Sequence, residues 1–237
     1  MLGWFFLNEQ RVYVSVIVPF FNEKAPLPHV INRVEKALET VSTDYEVIMV
    51  DDGSNDESRK IADQLAQENE KLKVKYHPRN LGKSAALNTG FKAAKGKYVV
   101  FIDADMQYEP MDIPALLKPL KTGHVDVVNG WRKKRVDPLT KIIPSKIFNL
   151  LTSMFFGIKL HDWNCGFKAF KKEVIKNFYL GRNQHRFLIA LIAKKGYKVN
   201  EVVINHYARR HGQSKYGFMR LFQGLHDLIV LWLLMRN

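Results

Sequence analysis

The stretch YVVFIDADMQYEP, residues 98–110, is the strongest indicator of the fold. It begins with an apolar, β-forming run, and two carboxylates one residue apart, Asp103 and Asp105, follow directly. An unbroken apolar run of this length predicts a strand that is buried on both faces. Neighbouring acids repel each other unless positive charge lies between them, and a divalent cation carrying a diphosphate is the commonest such charge. The stretch therefore predicts a buried strand, and whether a metal site follows it depends on what the rest of the chain supplies.

Similar apolar runs alternate with helix-like segments in the first half of the chain. Strands are predicted at 12–19, 45–50, 72–77, 97–102 and 125–130, and helices near 26–41, 57–69, 83–95 and 110–120. Continuous apolar strands separated by helices indicate an α/β fold, with a mostly parallel sheet covered by helices on both faces. Ligands of such sheets bind at the carboxyl ends of the strands, so functional residues are expected just after each strand.

The segments that follow the predicted strands are rich in acids, amides, glycines and cations. They read PFFNE (19–23), DDGSND (51–56), HPRNLGKS (77–84), DADMQ (103–107) and GWRKKR (130–135). Each segment alone is weak evidence, since DDGS is also ordinary turn chemistry. Because the carboxyl ends of parallel strands share one edge of a sheet, their joint placement predicts a single ligand site.

Two common nucleotide-binding motifs do not occur in these segments. GKS at 82–84 resembles the end of a P-loop, but that motif requires a glycine where this chain has His77. After the first strand, PFFNE stands in place of a Gly-x-Gly-x-x-Gly fingerprint. Neither an NTPase nor a hydride-transfer enzyme is favoured.

Charge is distributed unevenly along the chain. Residues 1–129 hold 16 Lys and Arg against 18 Asp and Glu, a balance of −2, whereas residues 130–237 hold 21 against 5, a balance of +16. Such a field attracts phosphate groups, anionic lipid or nucleic acid. Nucleic acid is disfavoured, because the cations are not interleaved with aromatic residues in any recognised binding motif.

The remaining composition fits a reducing compartment or its membrane face. The single cysteine, Cys165, excludes internal disulfides and a Cys-based zinc cluster, and is most simply a small buried residue. The apolar start MLGWFFLN (1–8) lacks the basic residues of a secretory signal and is expected to pack or to contact a membrane. The longest candidate span, LIVLWLLM (228–235), is far shorter than the ~20 residues that cross a bilayer, so no spanning helix is expected.

Several of these segments resemble a known family. SVIVPFFNE, VIMVDDGSND, RNLGKSAALNTGFKAAKG and YVVFIDADMQYEP are similar to the inverting family 2 glycosyltransferases, which have the GT-A fold. LHDWNCGFKAFKKEV (160–174) and ARRHGQSKYG (208–217) are similar to the dolichyl-phosphate mannosyltransferase-like branch, which makes polyprenyl-phosphate sugars. The resemblance implies a GT-A domain over 1–213, with a donor and metal half at 1–129 and an acceptor half at 130–213.

The resemblance also implies a nucleotide-sugar donor, UDP- or GDP-linked, bound together with Mg²⁺ or Mn²⁺. Asp103 and Asp105 are the expected metal ligands, and Gln107 is a further candidate for the metal shell. The residues expected to bind the nucleotide sugar are Pro19, Phe21, Glu23, Val50, Asp51, Asp52, Lys83, Asp103, Ala104 and Asp105. For Asp51 and Asp52, a role in capping the next helix can hold alongside the functional one.

A polyprenyl phosphate, dolichyl or undecaprenyl, is the acceptor that the resemblance implies. A phosphate is already anionic at neutral pH and can attack the anomeric carbon without a general base. It needs instead cations that offset its repulsion from the donor diphosphate. The expected acceptor-phosphate residues are Arg132, Lys146, Arg209, Arg210, Ser214 and Lys215. Lys146 stands where the family pattern has an arginine, and lysine cannot bind a phosphate bidentately.

A few other positions complete the expected site. The expected catalytic residues are Asp103, Asp105, Arg132 and Asp162. Asp162 could orient the acceptor or the basic loop, or have only a turn role. His185 and Arg186 are candidates for a sugar or phosphate contact, with an ordinary surface position as the alternative. His211 is a further candidate for a phosphate contact.

Residues 214–237 are predicted to form an amphipathic helix. Its apolar face consists of Phe218, Leu221, Phe222, Leu225, Leu228, Ile229 and Trp232, which recur at helical spacing. Arg220 and Arg236, together with Trp232, favour a helix that lies in the membrane interface. A helix packed on the domain is the alternative.

Together these observations predict transfer of a sugar from a nucleotide donor to a polyprenyl phosphate, with inversion and with a metal. The enzyme is expected at the cytoplasmic face of a membrane, as a peripheral or monotopic protein; a membrane-protein partner or a homo-oligomer is left open. Two other functions are left open too. One is a family 2 transferase that extends a glycan on a hydroxyl, with Asp162 as general base. The other is a non-catalytic basic module that binds lipid headgroups or nucleic acid.

Overall fold

Each apolar run that predicts a strand forms one. The computed structural model describes residues 12–209, 227–230 and 232–233; the apolar start at 1–8 lies outside them. The strands are β1 (Val14–Phe20), β2 (Tyr45–Asp51), β3 (Leu72–Tyr76), β4 (Tyr98–Ile102), β5 (Val127–Trp131), β6 (Phe167–Lys171) and β7 (Val199–Val203). The α-helices are α1 (Leu27–Glu39), α2 (Ser58–Glu68), α3 (Lys83–Ala93), α4 (Ile113–Lys121), α5 (Leu139–Phe156), α6 (Lys172–Ile175) and α7 (Leu188–Lys194), with 3₁₀ turns at Pro110–Asp112 and Gln184–Phe187.

These strands form one sheet of seven in the order β3-β2-β1-β4-β6-β5-β7. β1 pairs in parallel with β2 and β4, β2 with β3, and β5 with β7, whereas β6 runs antiparallel between β4 and β5. The predicted α/β fold with a mostly parallel sheet is confirmed. The sequence patterns predict none of α5, β6 and β7. Because β6 pairs with β4 and β5, the predicted donor and acceptor halves share one sheet.

Apolar side chains cover both faces of the sheet. On one face, α1 packs through Val30, Ile31, Val34 and Leu38, which recur at helical spacing and are almost fully buried. On the other face, α3, α5 and α7 pack in a second cluster that includes Phe170 of β6. The central strands are therefore a rigid support for the segments that follow them.

The antiparallel placement of β6 fixes the segment that precedes it. Ile102, the last residue of β4, pairs with Phe167, the first of β6, so residues 160–166 lie at the edge of the sheet where the acidic segment begins. The N–H of Asp103 donates to the carbonyl of Gly166 at 3.1 Å. A Cβ atom at Gly166 would lie 2.1 Å from Oδ2 of Asp103, so a larger residue here would displace the Asp103 carboxylate.

The described helical residues near the C-terminus pack on the domain. Leu228 is fully buried, and the ring of Trp232 lies 5.2 Å from the ring of Phe155 in α5. These two contacts agree with the packed-helix alternative, and the rest of the predicted 214–237 helix lies outside the described residues. Within the described parts of the chain, no helix combines the length and the apolarity needed to cross a bilayer.

Strand β6 also buries a cation. Lys168 is 1% exposed. Its ammonium donates to the side-chain oxygen of Asn129 and, at 3.3 Å, to the carbonyl of Trp163. Burial lowers the pKa of Lys168 from an ordinary 10.5 to about 8, because the charged form loses its hydration.

This buried ammonium predicts a pH-dependent contribution to stability. The free-energy cost of burying the charged ammonium is fully present below pH about 8 and disappears as the pH rises to 10.5. Over that interval the unfolded state binds more protons than the folded state, so the free energy of unfolding rises with pH. Between these pH values, the free energy of unfolding of the wild type should rise by about 3 kcal/mol relative to that of Lys168→Met. Urea denaturation at several pH values measures the difference. The same pH dependence of the free energy of unfolding in both proteins would contradict this prediction.

Candidate active site

Two acids at the carboxyl edge of the sheet each contact a cation. Nζ of Lys83, at the start of α3, lies 2.5 Å from Oδ1 of Asp103. Nη2 of Arg209 lies 2.7 Å from Oδ2 of Asp105 and 3.9 Å from Oε1 of Glu23. A predicted donor residue, Lys83, and a predicted acceptor-phosphate residue, Arg209, therefore meet at the two predicted metal ligands.

The carboxylates of Asp103 and Asp105 are also placed to bind a divalent cation. Their side chains are 25% exposed at Asp103 and 12% at Asp105. Partial burial raises the pKa of Asp103, the Lys83 ammonium lowers it by less, and the charge of Asp105 raises it further. In the described ranges, no group of three or more His, Cys, Asp or Glu side chains is placed to hold a metal by itself. The donor set therefore fits Mg²⁺ or Mn²⁺ that takes its other ligands from a diphosphate and water.

Gln107 lies next to the acids through its backbone. Its N–H donates to Oδ1 of Asp105 at 3.2 Å, and its carbonyl accepts from the N–H of Tyr207 at 2.9 Å. The side-chain amide donates to the carbonyl of Tyr207 at 3.5 Å, so this side chain faces residue 207. The backbone bond to Tyr207 brings Arg209, two residues further along, to Asp105.

Asp52 organises the segment that carries Lys83. Its carboxylate accepts from the N–H groups of Leu81 and Gly82 at 3.0 and 2.8 Å, and contacts Nδ1 of His77 at 2.8 Å. Leu81 and Gly82 directly precede α3, so these bonds fix the point at which the helix begins. Asp52 therefore positions Lys83 in this structure, and its predicted contact with the nucleotide stays a prediction.

Asp51 holds the neighbouring turn. It is fully buried and accepts from the N–H of Ser54 and from Nε of Arg59, both at 2.8 Å. Gly53 follows with a φ of +77°, and a Cβ atom there would lie 2.3 Å from the backbone carbon of Arg79. Glycine thus lets the DDGS turn lie directly against the next loop. These contacts give Asp51 a structural role alongside any contact with a ligand.

The other predicted donor residues lie at or beside the same edge of the sheet. Pro19 and Val50 are register partners near the ends of β1 and β2. Phe21 is partly exposed, whereas Glu23 is nearly buried and lies near the acid site through Arg209. Val50 and Ala104 have buried side chains, so they can offer a ligand only backbone atoms.

In the predicted acceptor half, Arg132 and Asp162 form a buried, bidentate ion pair. Nε and Nη2 of Arg132 lie 2.6 and 2.8 Å from the two carboxylate oxygens, and the side chains are 8% and 5% exposed. Burial alone would raise the pKa of Asp162, but the adjacent guanidinium lowers it by more. Two parallel charge-assisted bonds hold the guanidinium in one orientation. Asp162 therefore orients Arg132.

Glu201 of β7 holds the segment that carries Asp162, and it is not among the residues predicted from the sequence. Its Oε1 accepts from the N–H of Asp162 and from Nδ2 of Asn129, both at 3.1 Å. Its Oε2 accepts from the N–H of His161 at 2.8 Å, and the His161 ring stacks on Trp131 with 3.9 Å between centroids. Glu201 is one of only 5 acids in residues 130–237, and this scarcity is the signal that could have identified it.

Some of the remaining candidate residues lie within the described residues, and others do not. Nδ1 of His185 lies 3.1 Å from Oγ of Ser84, next to Lys83, so His185 reaches the start of α3, and Arg186 beside it is partly buried. Lys146 is exposed on α5. Cys165 is buried, as predicted. Four predicted or candidate phosphate residues lie outside the described residues: Arg210, His211, Ser214 and Lys215.

Comparison with known proteins agrees with this arrangement. The sequence profile described as Glycosyl transferase family 2 matches residues 15–178, which include the acidic loops, Arg132 and Asp162. The chain belongs to glycosyl transferase family 2. It is therefore a glycosyltransferase, and the predicted family is confirmed.

Relatives of this family 2 glycosyltransferase include two enzymes named for polyprenyl-phosphate chemistry. One is the dodecaprenyl-phosphate galacturonate synthase of Rhizobium johnstonii, 35% identical over 231 residues that cover 96% of this chain and 68% of the relative. Another is the undecaprenyl-phosphate 4-deoxy-4-formamido-L-arabinose transferase of Aeromonas hydrophila, 36% identical over 223 residues that cover 94% of this chain and 68% of the relative.

Solved structures share the fold at lower identity. Glucosyl-3-phosphoglycerate synthase from Mycobacterium tuberculosis, in complex with Mn²⁺, UDP and glucosyl-3-phosphoglycerate, superposes with a TM-score of 0.72 at 22% identity. The match covers 94% of this chain and 79% of that one. The likeness supports the GT-A assignment.

Glu201→Gln should loosen the segment that carries Asp162. A glutamine amide would put donor hydrogens against backbone N–H groups, so we expect a loss of about 1–3 kcal/mol in the free energy of unfolding. Hydrogen exchange at His161 and Asp162 should accelerate, whereas exchange in β1 should not. Glu173→Gln is the matched control, because Glu173 is exposed on α6. Unchanged exchange at both residues in Glu201→Gln would contradict the role.

Proposed function

We propose that this glycosyltransferase moves a sugar from a UDP- or GDP-linked donor to a polyprenyl phosphate, with inversion and with Mg²⁺ or Mn²⁺. The observation that carries the proposal is the buried Arg132–Asp162 ion pair at the same edge of the sheet as Asp103 and Asp105. The names of the two relatives, dodecaprenyl- and undecaprenyl-phosphate transferases, support the acceptor. The Mn²⁺ and UDP in the structurally similar synthase support the metal and the donor class.

A phosphate acceptor fits this site better than a hydroxyl. A hydroxyl would need a general base, and Asp162 is the candidate. Asp162 is buried, its two oxygens are bound to Arg132, and the guanidinium lowers its pKa. A carboxylate in that state accepts a proton poorly. An acceptor phosphate needs no base, and Arg132 supplies the oriented cation that such an acceptor requires.

Single displacement accounts for the proposed inversion. An oxygen of the acceptor phosphate attacks the anomeric carbon, a new carbon–oxygen bond forms, and the bond to the donor diphosphate breaks. A divalent metal held by Asp103 and Asp105 would neutralise the charge on the leaving diphosphate. Lys83 and Arg209, which lie at these carboxylates, would then turn towards phosphate oxygens. Arg132 would hold the attacking phosphate in line.

The membrane location is proposed on the same basis. A polyprenyl phosphate is held in a bilayer, so an enzyme that uses it must work at the membrane surface. The balance of +16 in residues 130–237 would attract anionic lipid headgroups. The cytoplasmic face is proposed because nucleotide sugars are supplied there.

The reaction is tested with the purified protein and a panel of UDP- and GDP-sugars, with Mn²⁺ and a short, water-soluble polyprenyl phosphate. A sugar-phospholipid should form from one donor class, and NMR should show the opposite anomeric configuration to that of the donor. Hydrolysis of every donor without a lipid product would contradict the acceptor, and retention would contradict direct displacement.

Asp105→Asn should separate metal binding from folding. Its carboxylate lies after a strand end and is not part of the core, so the melting temperature without ligand should change little. The stabilisation that Mn²⁺ and UDP together give the wild type should be lost, because one of two metal ligands is neutral. Thermal shift measures both quantities, with Asp44→Asn at an exposed position as control. Full retention of the Mn²⁺-dependent shift would contradict the metal site.

Arg132→Lys should affect the acceptor more than the donor. Lysine keeps a charge beside Asp162 but loses the bidentate geometry. Loss of one charge-assisted phosphate contact costs about 1.5–3 kcal/mol, so kcat/KM for the polyprenyl phosphate should fall about 10- to 100-fold. The affinity for UDP with Mn²⁺ should stay the same. Equal losses for both ligands would contradict the assignment of Arg132 to the acceptor.

A further inference from the structure

Helix α5 presents apolar side chains to solvent along its length. Ile143, Ile147, Leu150 and Met154 are 55%, 55%, 62% and 70% exposed, and they recur at spacings of three and four residues. These four residues, here called the α5 stripe, lie on one side of the helix over about 16 Å. We propose that the α5 stripe is the surface through which the protein docks on an anionic lipid bilayer. This inference rests on the proposed function, because a lipid acceptor requires such a surface.

The inner side of α5 is already used by the core. Phe148 and Thr152 are buried there, and Leu151 and Phe155 pack against the same cluster. A surface helix normally carries polar residues opposite its buried side, and a helix that is apolar all round requires an apolar environment on both sides. The protein core is the apolar environment on the inner side of α5. The α5 stripe requires a second apolar environment on the outer side.

Charge around α5 identifies a bilayer as that environment. Residues 138–161 contain no Asp or Glu, and exposed lysines lie before, within and after the stripe: Lys133, Lys134, Lys146 and Lys159. Apolar residues flanked by lysines match an interface in which side chains enter the acyl boundary and ammonium groups meet phosphates. A second copy of this chain is a poorer occupant, because two such cationic faces repel each other.

The C-terminal helix extends the same surface. Trp232 packs on Phe155 of α5, whereas Ile229, Val230 and Leu233 are 43%, 40% and 53% exposed. The sequence alone favours membrane contact for residues 214–237, with a helix packed on the domain as the alternative. The structure turns Leu228 and Trp232 of that segment inward, so α5 provides the more continuous apolar contact.

An environment-sensitive fluorophore on α5 tests the proposal directly. The only native thiol, Cys165, is 2% exposed and burial raises its pKa to about 11, so a thiol-reactive NBD dye should label an introduced cysteine selectively. In the full-length Leu150→Cys protein, NBD emission should shift to the blue and increase when phosphatidylglycerol-containing vesicles are added. Tyr179→Cys, at a residue that is 80% exposed outside α5, is the control and should not shift.

Vesicle partitioning tests the same surface without a label. Ile147→Asp and Met154→Asp should each lower the partition coefficient on phosphatidylglycerol vesicles by at least about tenfold, because a carboxylate is inserted among apolar and anionic groups. Tyr179→Asp carries the same charge change and should bind as the wild type does. The vesicles contain no polyprenyl phosphate, and transfer to a short, water-soluble acceptor is measured in parallel. A failure of docking is thereby distinguished from a failure of the proposed reaction.

Each contrary outcome overturns the proposal. Normal vesicle binding by both aspartate variants would remove α5 from the contact. A blue shift of the Leu150 label without vesicles, increasing with protein concentration, would assign the stripe to self-association. An equal shift at Tyr179 would mean that vesicle binding has no preferred face.

Discussion

The mutual repulsion of Asp103 and Asp105 is the constraint on which the rest of the site depends. Their carboxylates stand at the end of a buried strand, where water screens them incompletely. Two cations from distant parts of the chain contact these carboxylates: Lys83 at the start of α3 and Arg209 beyond β7. The loop that Asp52 fixes brings Lys83 to this site, and the backbone bond between Gln107 and Tyr207 brings Arg209.

The supports of the two sides of the site are built differently. In the predicted donor half, Asp52 accepts hydrogen bonds from backbone N–H groups directly before α3. These bonds position Lys83, the first residue of that helix. On the acceptor side, Glu201 fixes the backbone around Asp162, and Asp162 fixes Arg132. Arg132, the proposed acceptor cation, is therefore held by a buried side chain, which gives it one orientation even before a ligand binds. Such preorganisation suits a phosphate that must attack in line.

Sequence patterns predict the first five strands, the first four helices and the acidic edge, because those elements are continuous apolar runs followed by chemically distinct loops. They do not predict β6 or β7. FKAFK places a lysine inside a strand, and only the tertiary structure shows that Lys168 is satisfied there by Asn129 and Trp163. Glu201 is missed because one acid on an edge strand forms no pattern. The outward stripe of α5 is missed because a helix that is apolar on all sides gives no periodic signal.

The central claim is that the acceptor is a phosphate oriented by Arg132. The most direct measurement offers the wild-type protein two short acceptors with the same isoprenoid chain, a polyprenyl phosphate and the corresponding polyprenol, with the same donor and Mn²⁺. Product analysis by mass spectrometry should find sugar attached only to the phosphate, because Asp162, the carboxylate beside Arg132, is bound through both oxygens to the guanidinium. Sugar transfer to the polyprenol at a comparable rate would contradict the account.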